Sequence, residues 1–190
     1  SRCVSCCVRA PREGGGMIWR LSNRADPRAL PLADRHYNRQ KPGTPQFVPP
    51  GSCLVLLTDS AEALWVTSWP LAEFTKHRWA GAWVNSLFRR EAGPLASEMI
   101  RDAVAATKAF YGDPPELGMV SFIDPEKTHK KRDPGRCYIR AGFEYDGETE
   151  GGLVCVMMRP ERMPDPLRAL PKWSPQLDLF ERRAAAEEGR

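Results

Sequence analysis

Residues 85–96 read Asn-Ser-Leu-Phe-Arg-Arg-Glu-Ala-Gly-Pro-Leu-Ala, and this stretch decides how the chain is expected to fold. It begins inside an apolar segment, which predicts a strand over Trp83–Arg89. Gly93 and Pro94 then favour a turn. Apolar residues at helical spacing follow and predict a helix over Leu95–Tyr111, which Gly112 and the prolines after it end. The expected buried face of this helix contains Leu95, Met99, Ala103, Ala106 and Phe110.

The elements on the N-terminal side are a short helix and a hairpin. Apolar residues at helical spacing predict the helix over Ala29–Tyr37, with Pro27 just before it. Ser52–Thr58 reads as a buried strand, and Ala63–Trp69 as its hairpin partner after the turn at Asp59-Ser60.

On the C-terminal side, a buried strand is predicted over Gly118–Ile123, followed by a basic loop to Pro134. A short helix is predicted over Arg136–Ala141, because Gly142 suits a helix C-cap. Two strands close the pattern, over Phe143–Tyr145 and Leu153–Met158. Alternation of strands and helices predicts one α/β domain with a mixed central sheet flanked by helices.

Length and composition bound the class of protein. The chain has 190 residues, with 42% apolar and 27% charged residues, which is typical of one soluble globular domain. No apolar run is long enough to span a bilayer, so no membrane partner is expected. Residues 1–16 are interpreted as a disordered leader, residues 17–160 as the domain, and residues 161–190 as a Pro-rich tail with a possible short helix over 177–186.

The cysteines do not indicate a disulfide framework. The pair Cys3 and Cys6 has zinc-like spacing, but no second Cys or His pair follows at finger distance, so a structural zinc is not expected. Cys53 and Cys155 lie in apolar strands and are predicted to be small core residues. The cytoplasm is the default compartment for such a chain.

The positive charge is concentrated near the N-terminal end. Residues 17–50 carry six Lys or Arg and two Asp or Glu. This excess points to a phosphate-bearing partner, and a merely solvated basic face is the alternative. Phosphate contacts are expected from three groups, with Trp79 able to stack on a base. The groups are Arg35, Arg39 and Lys41; Lys76, Arg78 and Trp79; and Lys130, Lys131 and Arg132.

Five side chains are candidates for chemistry. His36 and Tyr37 end the first helix, and Asp124 follows a central strand, where ligands bind in open α/β sheets. Imidazole, carboxylate and phenol groups serve as acid and base or bind hard metals. Each has a structural alternative: a turn for Asp124, core packing for Tyr138, and a helix cap for Ser97.

The order of elements resembles the GNAT superfamily of N-acetyltransferases. The resemblance rests on the stretch over residues 85–96, on the strand over Gly118–Ile123, and on Cys137-Tyr138-x-x-Ala-Gly142-Phe143. In that superfamily the turn before the helix binds the coenzyme A pyrophosphate through backbone N–H groups. The matching positions here are Arg90 and Gly93, and Arg101 on the helix is a further cofactor-binding candidate. Pro94 has no N–H and Leu95 replaces a small residue, so acetyl-CoA is a disfavoured cofactor.

A narrower resemblance is to the Mom-type DNA-modification proteins of bacteriophages. Three pieces carry it: Asp34-Arg-His-Tyr-Asn-Arg39, Ser121-Phe-Ile-Asp124 and Gly135-Arg-Cys-Tyr-Ile-Arg-Ala-Gly-Phe143, and the helix start over Leu95–Arg101 also fits. The resemblance covers about residues 28–158. It implies a transferase that adds a carbamoylmethyl-like or other small acyl group to the N6 amine of adenine in phage DNA. Such modification evades host restriction nucleases.

What this resemblance implies for the site can be stated residue by residue. The catalytic residues would be His36, Tyr37, Ser97, Asp124 and Tyr138. Iron would be the cofactor, with His36 and Asp124 as metal ligands. The partner would be double-stranded DNA in the cytoplasm of the host cell, and base flipping is expected because the amine is inaccessible in the stack. Two alternatives stay open: an acetyl-CoA-dependent acetyltransferase acting on a small amine or a modified base, and a non-catalytic DNA-binding accessory protein.

Overall fold

A computed structural model gives the fold and describes residues 16–71, 73, 75, 77–128 and 133–173. The described strands are β1 (Trp19–Leu21), β2 (Ser52–Thr58), β3 (Ala63–Trp69), β4 (Trp83–Arg90), β5 (Met119–Ile123), β6 (Glu144–Glu148) and β7 (Val154–Met158). The described helices are α1 (Leu30–Asp34), α2 (Ala96–Tyr111) and α3 (Arg136–Ala141), with a 3-10 turn over Pro160–Arg162.

The strands form one mixed sheet in the order β1-β2-β3-β4-β5-β7-β6. All neighbours are antiparallel except β4 and β5, which run parallel because α2 carries the chain across between them. The expectation of one α/β domain with a mixed sheet is therefore confirmed. No helix in the described part of the chain has the length and apolar character needed to cross a bilayer.

The alternation of side chains along β2 shows how helices cover both faces of the sheet. Leu54 and Leu56 pack in the main core with α2 and α3, whereas Val55 and Leu57 pack in a second core with α1. Trp83 is fully buried in the main core, which confirms its assignment as a core residue.

Most predicted element bounds are confirmed, and the differences lie at helix ends. β2, β3 and α3 have the predicted residues, but α1 ends at Asp34 and leaves His36 and Tyr37 in the following turns. The expected buried face of α2 is wrong at both ends, since Leu95 and Phe110 are more than half exposed. The middle of the helix fills the core instead, with Ile100 and Val104 added.

Two structural features extend the domain beyond the sequence-based interpretation. Residues 19–21 form β1, which pairs with the end of β2. Leu170 then exchanges backbone hydrogen bonds with both Trp19 (2.8 Å) and Leu21 (2.9 Å), and Met163 is buried in the main core. Part of the segment interpreted as a tail is thus held on the domain, as far as Pro171, whose carbonyl accepts a hydrogen bond from Arg20. The helix predicted over 177–186 lies outside the described residues.

A bulge and a parting of strands shape the middle of the sheet. On β4, Leu87 pairs with Val66 and Asn85 with Thr67, so Ser86 is an extra residue without a partner on β3. On its other side, β4 pairs with β5 only from Trp83–Met119 to Asn85–Ser121. Beyond Asn85 the two parallel strands stop pairing, and β4 continues to Arg90. A cleft opens at this point.

Candidate functional site

A pocket of about 400 Å³ lies where β4 and β5 stop pairing. The turns after α1 contribute one side, and the end of β4 and the first turn of α2 contribute another. The start of α3 contributes a third. The residues that matter for its chemistry are His36, Tyr37, Phe88, Arg90, Arg136 and Tyr138.

Aromatic rings line much of this pocket. The rings of His36 and Tyr37 are stacked, with centroids 4.5 Å apart and an interplanar angle of 27°. Phe88 and Tyr138 meet edge to face at 6.3 Å. Flat walls of this kind suit a planar ring that stacks on one wall and meets the edge of another.

The hydrogen bonding of His36 indicates which ring nitrogen carries a proton. The backbone N–H of Asn38 donates to Nδ1 of His36 at 3.3 Å. Nδ1 is therefore an acceptor, and in the neutral ring Nε2 carries the hydrogen. This tautomer is assigned from the bonding pattern.

The two pocket tyrosines are both held in the neutral form at ordinary pH. Burial raises the pKa of Tyr37 above its ordinary value of 10.0, and the opposing influence of the Asp124 backbone amide is smaller. Burial also raises the pKa of Tyr138, which is 8% exposed. The Tyr138 hydroxyl donates to Oδ1 of Asn85 at 2.6 Å. Both phenols therefore act as hydrogen-bonding groups and not as standing anions.

An ion-pair network fixes the segment that carries His36 and Tyr37. Arg35 binds Glu91 in bidentate fashion, through Nε at 2.7 Å and Nη2 at 2.8 Å. Arg89 donates to the same carboxylate at 3.0 Å and to the Arg35 carbonyl at 2.6 Å. This latch ties the turn after α1 to the end of β4, so it holds the stacked His36–Tyr37 pair at the pocket.

The latch is expected to depend on pH. Hydrogen bonding from Arg35, and then from Arg89, holds the pKa of Glu91 below its ordinary value of 4.5. A lowered pKa means that the contact is complete above pH 4.5 and is lost as the pH falls through the folded-state value. In a carbon-13 NMR titration, we expect the Glu91 carboxyl to titrate below its ordinary value and to move up in Arg35→Gln. An unchanged midpoint in that variant would contradict the latch.

Asp124 lies beside the pocket but is occupied in a turn. Its Oδ1 accepts hydrogen bonds from the backbone N–H groups of Glu126 (3.0 Å) and Lys127 (3.1 Å), and its Oδ2 lies 3.4 Å from Nζ of Lys127. The backbone bond from Lys127 is the main reason that the pKa of Asp124 is lowered. Asp124 thus organises the loop after β5.

An iron site at His36 and Asp124 can be tested against this geometry. Both carboxylate oxygens of Asp124 face hydrogen-bond donors. Within the described ranges, no group of three His, Cys, Asp or Glu side chains is placed to hold a metal ion. The described residues do not fit an iron site, and the function proposed below routes no step through a metal.

The turn before α2 carries the predicted cofactor-binding residues. Arg90 donates to the carbonyls of Pro94 (2.6 Å) and Gly93 (2.7 Å), so it braces the turn. Arg90 and Ala96 both line the pocket. Ser97 makes no capping hydrogen bond to the helix end, whose N-cap residue is Leu95. Arg101 lies a turn further along α2 and donates to the Ala141 carbonyl at 3.1 Å, which joins α2 to α3.

The residues expected to contact nucleic acid are not brought together as expected. Arg39 is committed to the loop after α1, where it binds Asp34 and the carbonyls of Thr44 and Gln46. Trp79, expected to stack on a base, is 3% exposed and donates to Asp146 at 2.6 Å. Arg78 covers its ring at 4.5 Å and also donates to the Asp146 carbonyl. Burial therefore makes Trp79 a packing residue.

Of the remaining predicted contacts, Arg35 belongs to the latch and Lys41 is exposed on the loop after α1. Lys76, Lys130, Lys131 and Arg132 lie outside the described residues. The cationic groups that the structure does place at the pocket are Arg90 and Arg136, and Arg136 was not among the predicted contacts. Sequence reasoning also missed Asn85 and Phe88, which read as ordinary strand residues. A polar residue at an inward-facing position two residues after Trp83 was the available signal for Asn85.

Comparisons with known proteins add no relative: no family model, no curated protein and no solved structure matches this chain.

Proposed function

We propose that this protein is a transferase of GNAT-like fold that modifies DNA bases, in the manner of the Mom-type proteins of bacteriophages. Its substrate is the N6 amine of adenine in double-stranded phage DNA. The group added is small, of the acyl or carbamoylmethyl kind, and its presence protects the DNA from host restriction nucleases. The observation that carries the proposal is the aromatic pocket at the parting of β4 and β5.

The pocket supports a base as substrate because of its walls. The stacked His36–Tyr37 pair offers a flat surface, and Phe88 and Tyr138 offer perpendicular ones. Stacking on such rings stabilises an extruded base by about 1–3 kcal/mol, which offsets part of the cost of unstacking it from the duplex. Arg90 and Arg136 place guanidinium groups at the same pocket, where the phosphates that flank an extruded nucleotide need cations.

The topology supports the GNAT part of the proposal. Strands β2, β3 and β4 form an antiparallel meander, α2 crosses to β5, and the β4–β5 pair is the single parallel junction of the described sheet. The parting of these two strands leaves room for two substrates to meet, since each can enter from a different face. Transfer requires that a nucleophilic amine and a donor be held close together.

A nucleoside mass spectrum tests reaction and substrate together. The full chain is produced in bacteria that carry a plasmid, with and without phage infection, and the plasmid is digested to nucleosides. We expect a modified deoxyadenosine from cells with the wild-type chain. His36→Ala, produced at an equal soluble level, serves as the matched control and should leave the DNA unmodified. Ordinary nucleosides alone, with soluble wild-type protein in infected cells, would overturn the proposal.

A second candidate, an acetyl-CoA-dependent acetyltransferase, is favoured by one observation. Arg90 and the first helical residue, Ala96, line the pocket, so the backbone N–H groups that begin α2 are near its opening. Calorimetry with acetyl-CoA tests this. Ala96→Pro removes one N–H at a helix position that tolerates proline, and Leu95 already has compatible angles of φ −57° and ψ 135°. Binding weakened by that variant would favour the acetyltransferase, and no binding by the wild-type chain would exclude it.

A further inference from the structure

A buried amide lies at the point where the sheet parts. Asn85 is the last residue of β4 that pairs with β5, it is 5% exposed, and it lies beside the bulge at Ser86. A buried amide is costly unless all of its hydrogen-bonding capacity is used. Asn85 meets this requirement with four partners, two on each side of the amide.

The partners of Asn85 fix which way the amide points. Its Nδ2 donates to the carbonyl oxygens of Val66 and Leu87, each at 3.0 Å. Carbonyl oxygens carry no hydrogen, so only the NH₂ group can face them. The oxygen of the amide must therefore face the other side, towards the hydroxyls of Ser121 (3.2 Å) and Tyr138 (2.6 Å).

This orientation determines where the Tyr138 hydrogen points. An amide oxygen cannot donate, so in the 2.6 Å contact Tyr138 donates and Asn85 accepts. Ser121 has one hydrogen, which can serve either Asn85 or Tyr138, and neither choice changes the direction of the Tyr138 bond. A phenol whose hydrogen is committed in this way has only acceptor lone pairs left for a further partner. Burial raises the pKa of Tyr138, which keeps that hydrogen in place.

We propose that Asn85 is a positioning residue, which orients Tyr138 so that its oxygen accepts a hydrogen bond from the exocyclic amine of the base in the pocket. The inference rests on the proposed function and names what selects the base there. A base with an N–H donor at this position gains a hydrogen bond, and a base that lacks one leaves the Tyr138 oxygen unsatisfied. One such bond corresponds to about a fivefold preference.

Binding to matched duplexes tests this selection without the transfer reaction. Two fluorescent duplexes are compared, one with adenine and one with unsubstituted purine at a single mismatched position, where extrusion is easiest. We expect the wild-type chain to bind the adenine duplex about fivefold more tightly. Asn85→Ala should bind both equally, because its Tyr138 hydroxyl is free to turn. Asn85→Asp keeps an acceptor for that hydrogen, so the preference should return.

A structural control separates orientation from folding. Ser121→Ala removes the other hydroxyl at the Asn85 oxygen but leaves the Tyr138 bond, so it should keep the fivefold preference. Asn85→Asp should unfold at lower temperature than the wild-type chain, because two carbonyls lose their donors. A merely structural Asn85 would give the opposite ranking, with preference lost in step with stability.

The outcomes for this inference and for the proposed function are distinct. Equal binding of the two duplexes by the wild-type chain, or an undiminished preference in Asn85→Ala, overturns the role of Asn85 even if the nucleoside spectrum shows modified adenine. A spectrum with ordinary nucleosides alone overturns the proposed function, whatever the duplexes show.

Discussion

Gly118→Ala is expected to destabilise the protein by about 2–5 kcal/mol. Gly118 has a φ of +70°, which L side chains rarely adopt. An added Cβ would also overlap the carbonyl oxygen of Met158 and lie 3.2 Å from Cα of Arg159. These are backbone atoms at the end of β7, so the overlap can be relieved only by moving β5 away from its neighbour. The free energy of unfolding in urea measures the effect.

Gly152→Ala is the matched control for this stability loss. Gly152 has a similar φ of +78°, but nothing lies within 4 Å of an added Cβ. Its expected cost is the backbone strain alone, about 1–2 kcal/mol. If the two variants lose equal free energy, the close approach of β5 and β7 at Gly118 is not a constraint on the fold.

Tyr138→Phe is expected to reduce adenine modification by about 100-fold, within the range for loss of one positioned polar group in a transfer site. The ring stays packed against Phe88 and Phe143, so the core is preserved. What is lost is the oxygen that lies at the parting of the strands. The measurement is the modified fraction of deoxyadenosine in plasmid DNA at equal levels of soluble protein.

The control for this loss of activity is Tyr145→Phe, which removes the same atom from an exposed position on β6. Its modified fraction should equal that of the wild-type chain. Tyr138→Phe itself should be less stable by only about 1 kcal/mol, because Ser121 remains a partner for Asn85. Full modification by a folded Tyr138→Phe would remove Tyr138 from the reaction.

The parts of the fold that sequence predicted are those with local signals. The hairpin of β2 and β3 has two apolar runs around a polar turn, and α3 ends at Gly142, which has a φ of +108°. β1 has only three residues, and its partners on β2 are far along the chain, so no local pattern marks it. Met163 and Leu170 were missed for the same reason, because prolines around them hide a nonlocal contact with β1 and the core.

The candidate site was predicted only in part. His36, Tyr37 and Tyr138 do line one pocket, and sequence reasoning had chosen them. Asp124 and Arg39 carry functional groups that are as reactive, but local turns bind them, and hydrogen-bond partners cannot be read from residue types. Trp79 was misplaced because its burial depends on Asp146, a residue of β6. Asn85 was missed because its importance comes from three other elements that converge on it.

The extra residue at Ser86 also limits how this strand can change during evolution. Trp83 faces the main core, and so does Phe88, whereas Leu87 lies in the second core, so the bulge reverses the alternation within β4. Loss of one residue between Asn85 and Arg90 would exchange the two faces of everything that follows, and Arg90 would leave the turn before α2. Related chains are therefore expected to keep this spacing without insertions or deletions, and an alignment that opens a gap here would pair residues from opposite sides of the sheet.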